Sequence, residues 1–588
     1  MTQNPNEKTN QKVNESNSMN RNENIHANTK TQTQIKTQEQ PSNASMAKSS
    51  LIMFAGTFVS RILGLIRSAL LLAVLGAFGA HDAFNVANTL PNTIFNLVAG
   101  GVLNAILVPQ IVRAFRKKNG DEFVNSLLTT TGLILLAITT VATVASSILV
   151  SLFAYDMSPG WKLIAISFAF WCMPQIFFYG LYVLYGQVLN AKYSFGPYMW
   201  SPVLNNIISI LGLSVFIYLY GFANTHTTGM VSFWTWNKIA LIAGSGTLGI
   251  VAQALILIPV IKKTGFKLRL VWHTKGYGLG HASKLALWAF GVVALSQFEL
   301  LLISNLASSA QNYGVQTGQF IPSITVHTFA YLIYTIPQSL VTTSIITALF
   351  TRLSYQAANG EDEKMTSDYG FVATILGIFS IFASLTMIIL STPLACMVGP
   401  SRPNHEIVAI SQVLSILCVC IPLQAFVTIN ARVLFAYEKT KNAFFIEIPR
   451  VFVLIIGMAL IPVFFPHKYW VMAFCVTSCI AFATVSFIQA IYLKKSFPTI
   501  NYTHIFKNCI KMYIIMLFSS IFGYFISNTL LYSPLAITET SGRFFTAILQ
   551  IVVVGFVMLI IYITGLLLSN IPEVKQGVNV IKTKVFRR

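Results

Sequence analysis

SRILGLIRSALLLAVLGAFGAHDAFNVANTLPNTIFNLVAGGVLNAILVPQIVRAF, Ser60 to Phe115, is an apolar stretch that carries charge where an apolar stretch should not. Arg61 and Arg67 lie inside its first run, and Asp82 enters the second. A charged side chain at the centre of a bilayer costs about 2.5–3.5 kcal/mol on insertion scales, so it persists where a partner or an anionic ligand offsets that cost. Pro91, Gly100 and Gly101 then interrupt the second run, and Gly64 offers a bend in the first. Broken helices that free backbone groups are how membrane transporters build polar sites at depth.

The rest of the chain supplies the setting. Of its 588 residues, 55% are hydrophobic and 10% charged, and mean hydropathy is +0.67. Soluble domains carry about 25% charged residues, so the composition specifies an all-α polytopic membrane protein. Apolar runs near 49–78, 82–112, 123–155, 161–190, 196–221, 238–261, 283–308, 320–350, 367–397, 406–436, 442–465, 469–493, 506–530 and 543–569 predict about fourteen transmembrane helices. Residues 1–47, rich in Asn, Thr, Gln and Lys, have the composition of a disordered tail and lack the apolar core of a signal peptide.

The net charge of +21 raises nucleic acid as a partner, but its distribution argues otherwise. With the N-terminus inside, Arg113, Arg116, Lys117, Lys118, Lys262, Lys263, Lys267, Arg269, Lys494, Lys495, Lys507, Arg587 and Arg588 all fall on the cytoplasmic side. Lys162, Lys238, Arg402, Lys468 and Arg543 fall outside. This is the positive-inside pattern, which places both termini in the cytoplasm and makes the charge topological. No nucleic-acid partner is expected. The seven cysteines form no paired framework and no metal-ligand spacing, so they read as small packing residues, and no metal or cofactor is called for.

Two pairs of segments resemble each other. Leu90–Glu122 matches Ile336–Asp362, and Gln187–Asn205 matches Ala431–Val451. The offset is six helices with unchanged orientation. It predicts two six-helix lobes related by a pseudo-two-fold axis along the membrane normal, with two helices appended. The corresponding boundaries are a tail over 1–47, lobes over 48–265 and 266–500, the helix pair over 501–570 and a basic tail over 571–588.

Within the first helix, Gly56, Ser60, Gly64 and Ser68 form a small-residue stripe that admits another helix closely. Six residues apart on a regular helix, Arg61 and Arg67 point roughly 120° from each other, so one ligand reaches both only if the helix bends at Gly64. The alternative is that one arginine pairs with Asp82 and staples two helices. Asp82 itself either complements its own helix dipole or serves as that partner. Glu299, deep in the seventh helix, is a candidate for coupling to protons or sodium, or else a hydrogen-bonding partner of a neighbouring helix. His327 reads as a packing residue, Glu447 and Arg450 as an i,i+3 ion pair, and Pro337 as a further helix break.

SRILGLIRSAL followed by DAFNVANTLPN and VLNAILVPQ resembles the amino-terminal signature of the MurJ/MviN family, and GQVLNAKYSF adds weaker support. These are lipid II flippases within the multidrug/oligosaccharidyl-lipid/polysaccharide exporter (MOP) superfamily. The resemblance implies transfer of the undecaprenyl-pyrophosphate-linked precursor from the inner to the outer leaflet of the cytoplasmic membrane by alternating access, with no enzymatic step. It places Arg61, Arg67 and Asp82 at the substrate site and a lipid-tail groove at the last two helices. Partners implied are lipid II, membrane lipids and cell-wall synthesis proteins. The chain departs from the family where many members carry basic residues after LPN, here Phe95 and Asn96, and in the eighth helix, here Leu332 and Thr335. A divergent member is therefore expected. A flippase for another lipid-linked oligosaccharide, a multidrug extruder and a transport-inactive scaffold for wall synthesis remain alternatives. No Gly-rich phosphate loop points to an ATPase.

Overall fold

The computed structural model describes residues 43–575 apart from 77–78, 99–119, 193, 225–226, 272–279, 343–344, 347–349, 351–352, 354–355, 358 and 570. The chain divides into two units, residues 1–55 and 56–588, and the packed helices belong to the second. Gly100 and Gly101, residues 1–42 of the tail expected over 1–47 and most of the basic C-terminal tail lie outside the described residues, while residues 43–47, expected in that tail, are the first turn of a helix.

The helices are α1 (Asn43–Leu75), α2 (Gly79–Val98), α3 (Gly120–Val144), α4 (Pro159–Ala191), α5 (Phe195–Tyr220), α6 (Trp236–Lys263) and α7 (Gly280–Thr317). They continue with α8 (Ile324–Pro337), α9 (Asp362–Ile389), α10 (Asn404–Ala436), α11 (Thr440–Phe464), α12 (Trp470–Ser496), α13 (Tyr502–Phe525) and α14 (Thr540–Leu568). Among the described residues, twelve are long and apolar enough to cross a membrane. The remaining two are α2 and α8, which complete the expected fourteen. Their failure by that measure has a physical cause. α2 carries His81, Asp82, Asn85, Asn88, Asn92 and Asn96, while α8 ends after one short run at Pro337 and gives way to a π-helical turn over Gln338–Thr342. The six-helix offset in the sequence pairs these same two helices.

Other expected breaks are absent. α1 runs without interruption through Gly64, and α2 runs through Pro91. One proline removes a single backbone donor, a loss that a helix packed on several sides tolerates. Gly64 serves packing instead: the stripe along α1 receives α5, with Trp200 against Gly56 and Asn206 Nδ2 donating to the Ser60 carbonyl at 2.9 Å.

Apolar packing separates the molecule into two bundles. One set of cores draws on residues between Val74 and Phe266, from α1 to the segment after α6. Another draws on residues between Ile303 and Ile505, joined by Leu72 and Ala547. A fifth core joins α13 and α14 to α9 through Met512, Met516, Met558 and Tyr562. The cysteines need one correction. Cys172, Cys396, Cys418, Cys475 and Cys509 are free, but Cys420 of α10 and Cys479 of α12 are joined as a disulfide with Cα atoms 5.2 Å apart. The pairing depends on two helices packing side by side with their cysteines 59 residues apart, which spacing along the chain does not reveal.

Candidate functional site

The two arginines of α1 part company. Arg61 is exposed, whereas Arg67, partly buried, turns into the first bundle beside Gly246 of α6, facing Cys172 and Tyr179 of α4. A continuous helix enforces this: with no break at Gly64, the roughly 120° between them stands, and the expected convergence on one ligand does not occur. Arg67 has no carboxylate partner among the described residues. Tyr179 stacks in tilted fashion on Phe95, ring centroids 5.6 Å apart, so an apolar ring occupies the place where the family pattern has a base.

Asp82 lies in the first turn of α2, where it complements that helix's dipole as expected, but it pairs with no arginine among the described residues. It is buried, and its Oδ1 accepts from Ser323 Oγ at 2.7 Å, from Thr325 Oγ1 at 2.5 Å and from the Thr325 backbone N–H at 2.9 Å. Ser323 is the N-cap of α8, so Asp82 caps a helix of the other bundle, some 240 residues away. A carboxylate at a helix N-terminus satisfies orphan N–H groups and complements the dipole. Asn85, one turn further along α2, adds a bond from Nδ2 to Thr325 Oγ1 at 3.2 Å.

A mirror contact runs the other way. α1 ends at Leu75 and turns through Gly76, whose φ of 80° is the left-handed value that closes helix C-termini. There Arg402 Nη2, from the turn before α10, donates to the Leu72 carbonyl at 3.0 Å. Burial lowers the pKa of Arg402 below its ordinary value, and the Glu406 carboxylate at 3.5 Å acts against that shift. Thus an anion of the first bundle caps a helix start in the second, and a cation of the second caps a helix end in the first. Asn305 of α7 extends the seam, donating from Nδ2 to the Leu152 carbonyl at 2.8 Å and accepting from the Tyr155 N–H at 3.0 Å. These bonds between the bundles gather at one end of the molecule, opposite the end that bears Lys262, Lys263, Lys439, Lys441, Lys494 and Lys495.

Glu299 is ion-paired. Arg450 of α11 reaches it directly and also pairs with Glu447 at 3.5 Å, so one guanidinium serves two carboxylates inside the second bundle. The expected Glu447–Arg450 pair is present, and its extension to Glu299 lay beyond sequence reading because α7 and α11 meet only in the fold. His327 stacks on Tyr331, centroids 5.8 Å apart. An apolar cavity of about 540 Å³ opens where α14 meets α8 and α9, lined by Ile333, Ile336, Pro337, Phe382, Tyr562 and Leu566. No group of three or more His, Cys, Asp or Glu residues suited to a metal occurs among the described residues.

The chain carrying this arrangement is similar in sequence and fold to known proteins. A family model described as "Lipid II flippase MurJ" matches residues 71–567. The chain belongs to the MurJ family. A probable lipid II flippase MurJ of Haemophilus influenzae is 29% identical over 271 residues, spanning 43% of this chain and 49% of that protein, so the chain aligns with about half the length of this relative. A solved lipid II flippase MurJ in an inward closed conformation superposes with a TM-score of 0.62 at 21% identity, covering 88% of this chain and all of the other. A MATE protein solved with MaL6 gives 0.56 at 14% identity, covering 77% of this chain and 96% of that one. At these identities the structural likenesses establish the fold alone.

Sequence reading missed Ser323, Thr325, Arg402 and Asn305. A Ser and a Thr preceding the apolar run of α8 are an N-cap signal, but the acceptor that answers it is not local. Replacing Asp82 with Asn removes the charge from the cap and is expected to weaken the seam by about 1–2 kcal/mol. Hydrogen exchange of the purified chain should then show the first turn of α8 exchanging about tenfold faster, with α12 unchanged.

Proposed function

We propose that this MurJ-family protein is a lipid II flippase that carries the pyrophosphate-linked precursor from the cytoplasmic to the outer leaflet by alternating access. The observation that supports this best is Arg67, a guanidinium turned into the first bundle with no carboxylate partner among the described residues. Its planar donor fork matches phosphate oxygens in pairs, and a site of reduced dielectric strengthens that pairing. Arg61, exposed on the same helix, acts earlier, at entry of the head group. The cavity beside α14 is suited to the hydrocarbon tail.

The moving lobes span 48–265 and 266–500, and the pair over 501–570 binds the tail. The basic end faces the cytoplasm, with both termini on that side. The seam of helix caps then closes the outer face while the head group enters from inside. Opening the outer face requires Asp82 to leave the α8 N-terminus and Arg402 to leave Leu72. Exposed helix ends and a freed carboxylate are costly in a bilayer, so the bound substrate must offset that cost for the lobes to rock. Glu299, held by Arg450 and shared with Glu447, takes part in coupling as an ion-paired carboxylate. Cell-wall synthesis enzymes remain proposed partners.

Depleting the protein should abolish outer-leaflet lipid II. Restoring it as Arg67→Ala should recover less than a tenth of wild-type transfer, since a charge-assisted contact contributes about 1.5–3 kcal/mol, while Arg61→Ala should recover more. Unchanged outer-leaflet lipid II in depleted cells contradicts the function, and full transfer by Arg67→Ala contradicts the site. Membrane-impermeant thiol reagent should modify Tyr155→Cys in intact cells and Lys263→Cys only after the membrane is opened; labelling from one side at both positions overturns the orientation.

A further inference from the structure

Arg543, at the start of α14, is buried with each of its guanidinium nitrogens occupied. Nε donates to the Ile537 carbonyl at 3.0 Å, Nη1 to the carbonyls of Pro400 at 3.2 Å and Arg402 at 2.7 Å, and Nη2 to Asn404 Oδ1 at 3.1 Å. Asn404 in turn donates from Nδ2 to the Leu535 carbonyl at 3.0 Å. A single side chain therefore fixes the whole turn from Pro400 to Asn404. That turn carries Arg402, whose Nη2 caps Leu72 at the end of α1, and its neighbour Gly399 lies so close to Leu72 that a Cβ there would approach to 3.1 Å.

The same helix that begins with Arg543 forms a wall of the apolar cavity. Leu559, Tyr562, Ile563 and Leu566 line it, the nearest of them about 24 Å further along an unbroken helix. Tyr562 also donates to the Ile378 carbonyl of α9 at 3.2 Å. A helix is stiff along its axis, so a displacement of one end by a cavity occupant is carried to the other.

We propose that α14 couples occupancy of the apolar cavity by a hydrocarbon chain to release of the seam between the bundles. Arg543 acts as the positioning residue that transmits movement of α14 to Arg402. This rests on the flippase reading for its consequence in transport. Before a chain enters, Arg543 holds the 400–404 turn so that Arg402 stays on Leu72 and the seam remains shut. A polyprenyl chain in the cavity shifts α14, draws the turn away and frees the end of α1. Lipid with a full-length tail is thereby favoured over the same head group on a short one, and the two appended helices set substrate selectivity.

The test uses the full chain in phosphatidylethanolamine–phosphatidylglycerol vesicles, comparing transfer of lipid II with a full-length and a truncated polyprenyl tail. Wild type should favour the full-length tail about tenfold, within the range usual for coupling between sites. Arg543→Gln and Arg402→Gln should each bring that ratio near one, and the double variant should do no more than either alone. Lys468→Gln, an exposed cation at the same end, should leave the ratio intact. General damage to the fold slows both substrates and spares the ratio. A ratio unchanged in Arg402→Gln, or multiplied losses in the double variant, overturns the relay, and Arg402→Gln alone decides if Arg543→Gln does not fold. If wild type transfers neither lipid, the flippase reading fails. The relay is then judged by hydrogen exchange at residues 399–404, which polyprenyl phosphate should accelerate in wild type and leave unchanged in Arg543→Gln; no acceleration in wild type overturns it.

Discussion

Two helix ends, each capped by a side chain from the other bundle, hold this molecule in the state described. Asp82 answers the N-terminus of α8, and Arg402 answers the C-terminus of α1. Within a membrane these are the groups that most need partners, because no water stands ready to replace them. The caps also exploit opposite ends of the helix dipole, an anion at the positive end and a cation at the negative. Such contacts are strong when made and simple to exchange as units, which suits the opening and closing proposed for this seam.

The remaining charges fit that arrangement. Arg67 has no carboxylate partner among the described residues, and Asp82, the nearest candidate in sequence, is engaged elsewhere. Glu299 is kept in the second bundle by Arg450, which is shared with Glu447, so that cluster holds its own cation. Among the described residues, the first bundle thus presents a cation with no carboxylate partner, while the second bundle's cluster sets two carboxylates around one guanidinium. This asymmetry fits an anionic head group that binds mainly to one lobe and is released when the other moves away.

Much of this was legible in the sequence. Apolar run lengths place fourteen helices, and the six-helix offset pairs α2 with α8, the two that prove least like plain membrane spans. The SRILGLIR signature leads to the family that the match over residues 71–567 establishes. What could not be read was contact across distance. Neither the acceptor of the α2–α8 cap nor the Cys420–Cys479 bond has any trace in local spacing, since each depends on helices brought together only by packing. Gly64 and Pro91 misled for a different reason: a residue that permits a break does not impose one.

The proposed alternating access through these caps requires the seam at Asp82 to open in every cycle. Replacing Asp82 and Thr325 with cysteine in a background free of other cysteines allows that seam to be locked by oxidation and released by reduction, with transfer of lipid II followed in the same vesicles. Transfer should stop when the bond forms and return to its starting rate when it is reduced. Transfer that continues unchanged with the bond fully formed would contradict alternating access through this seam.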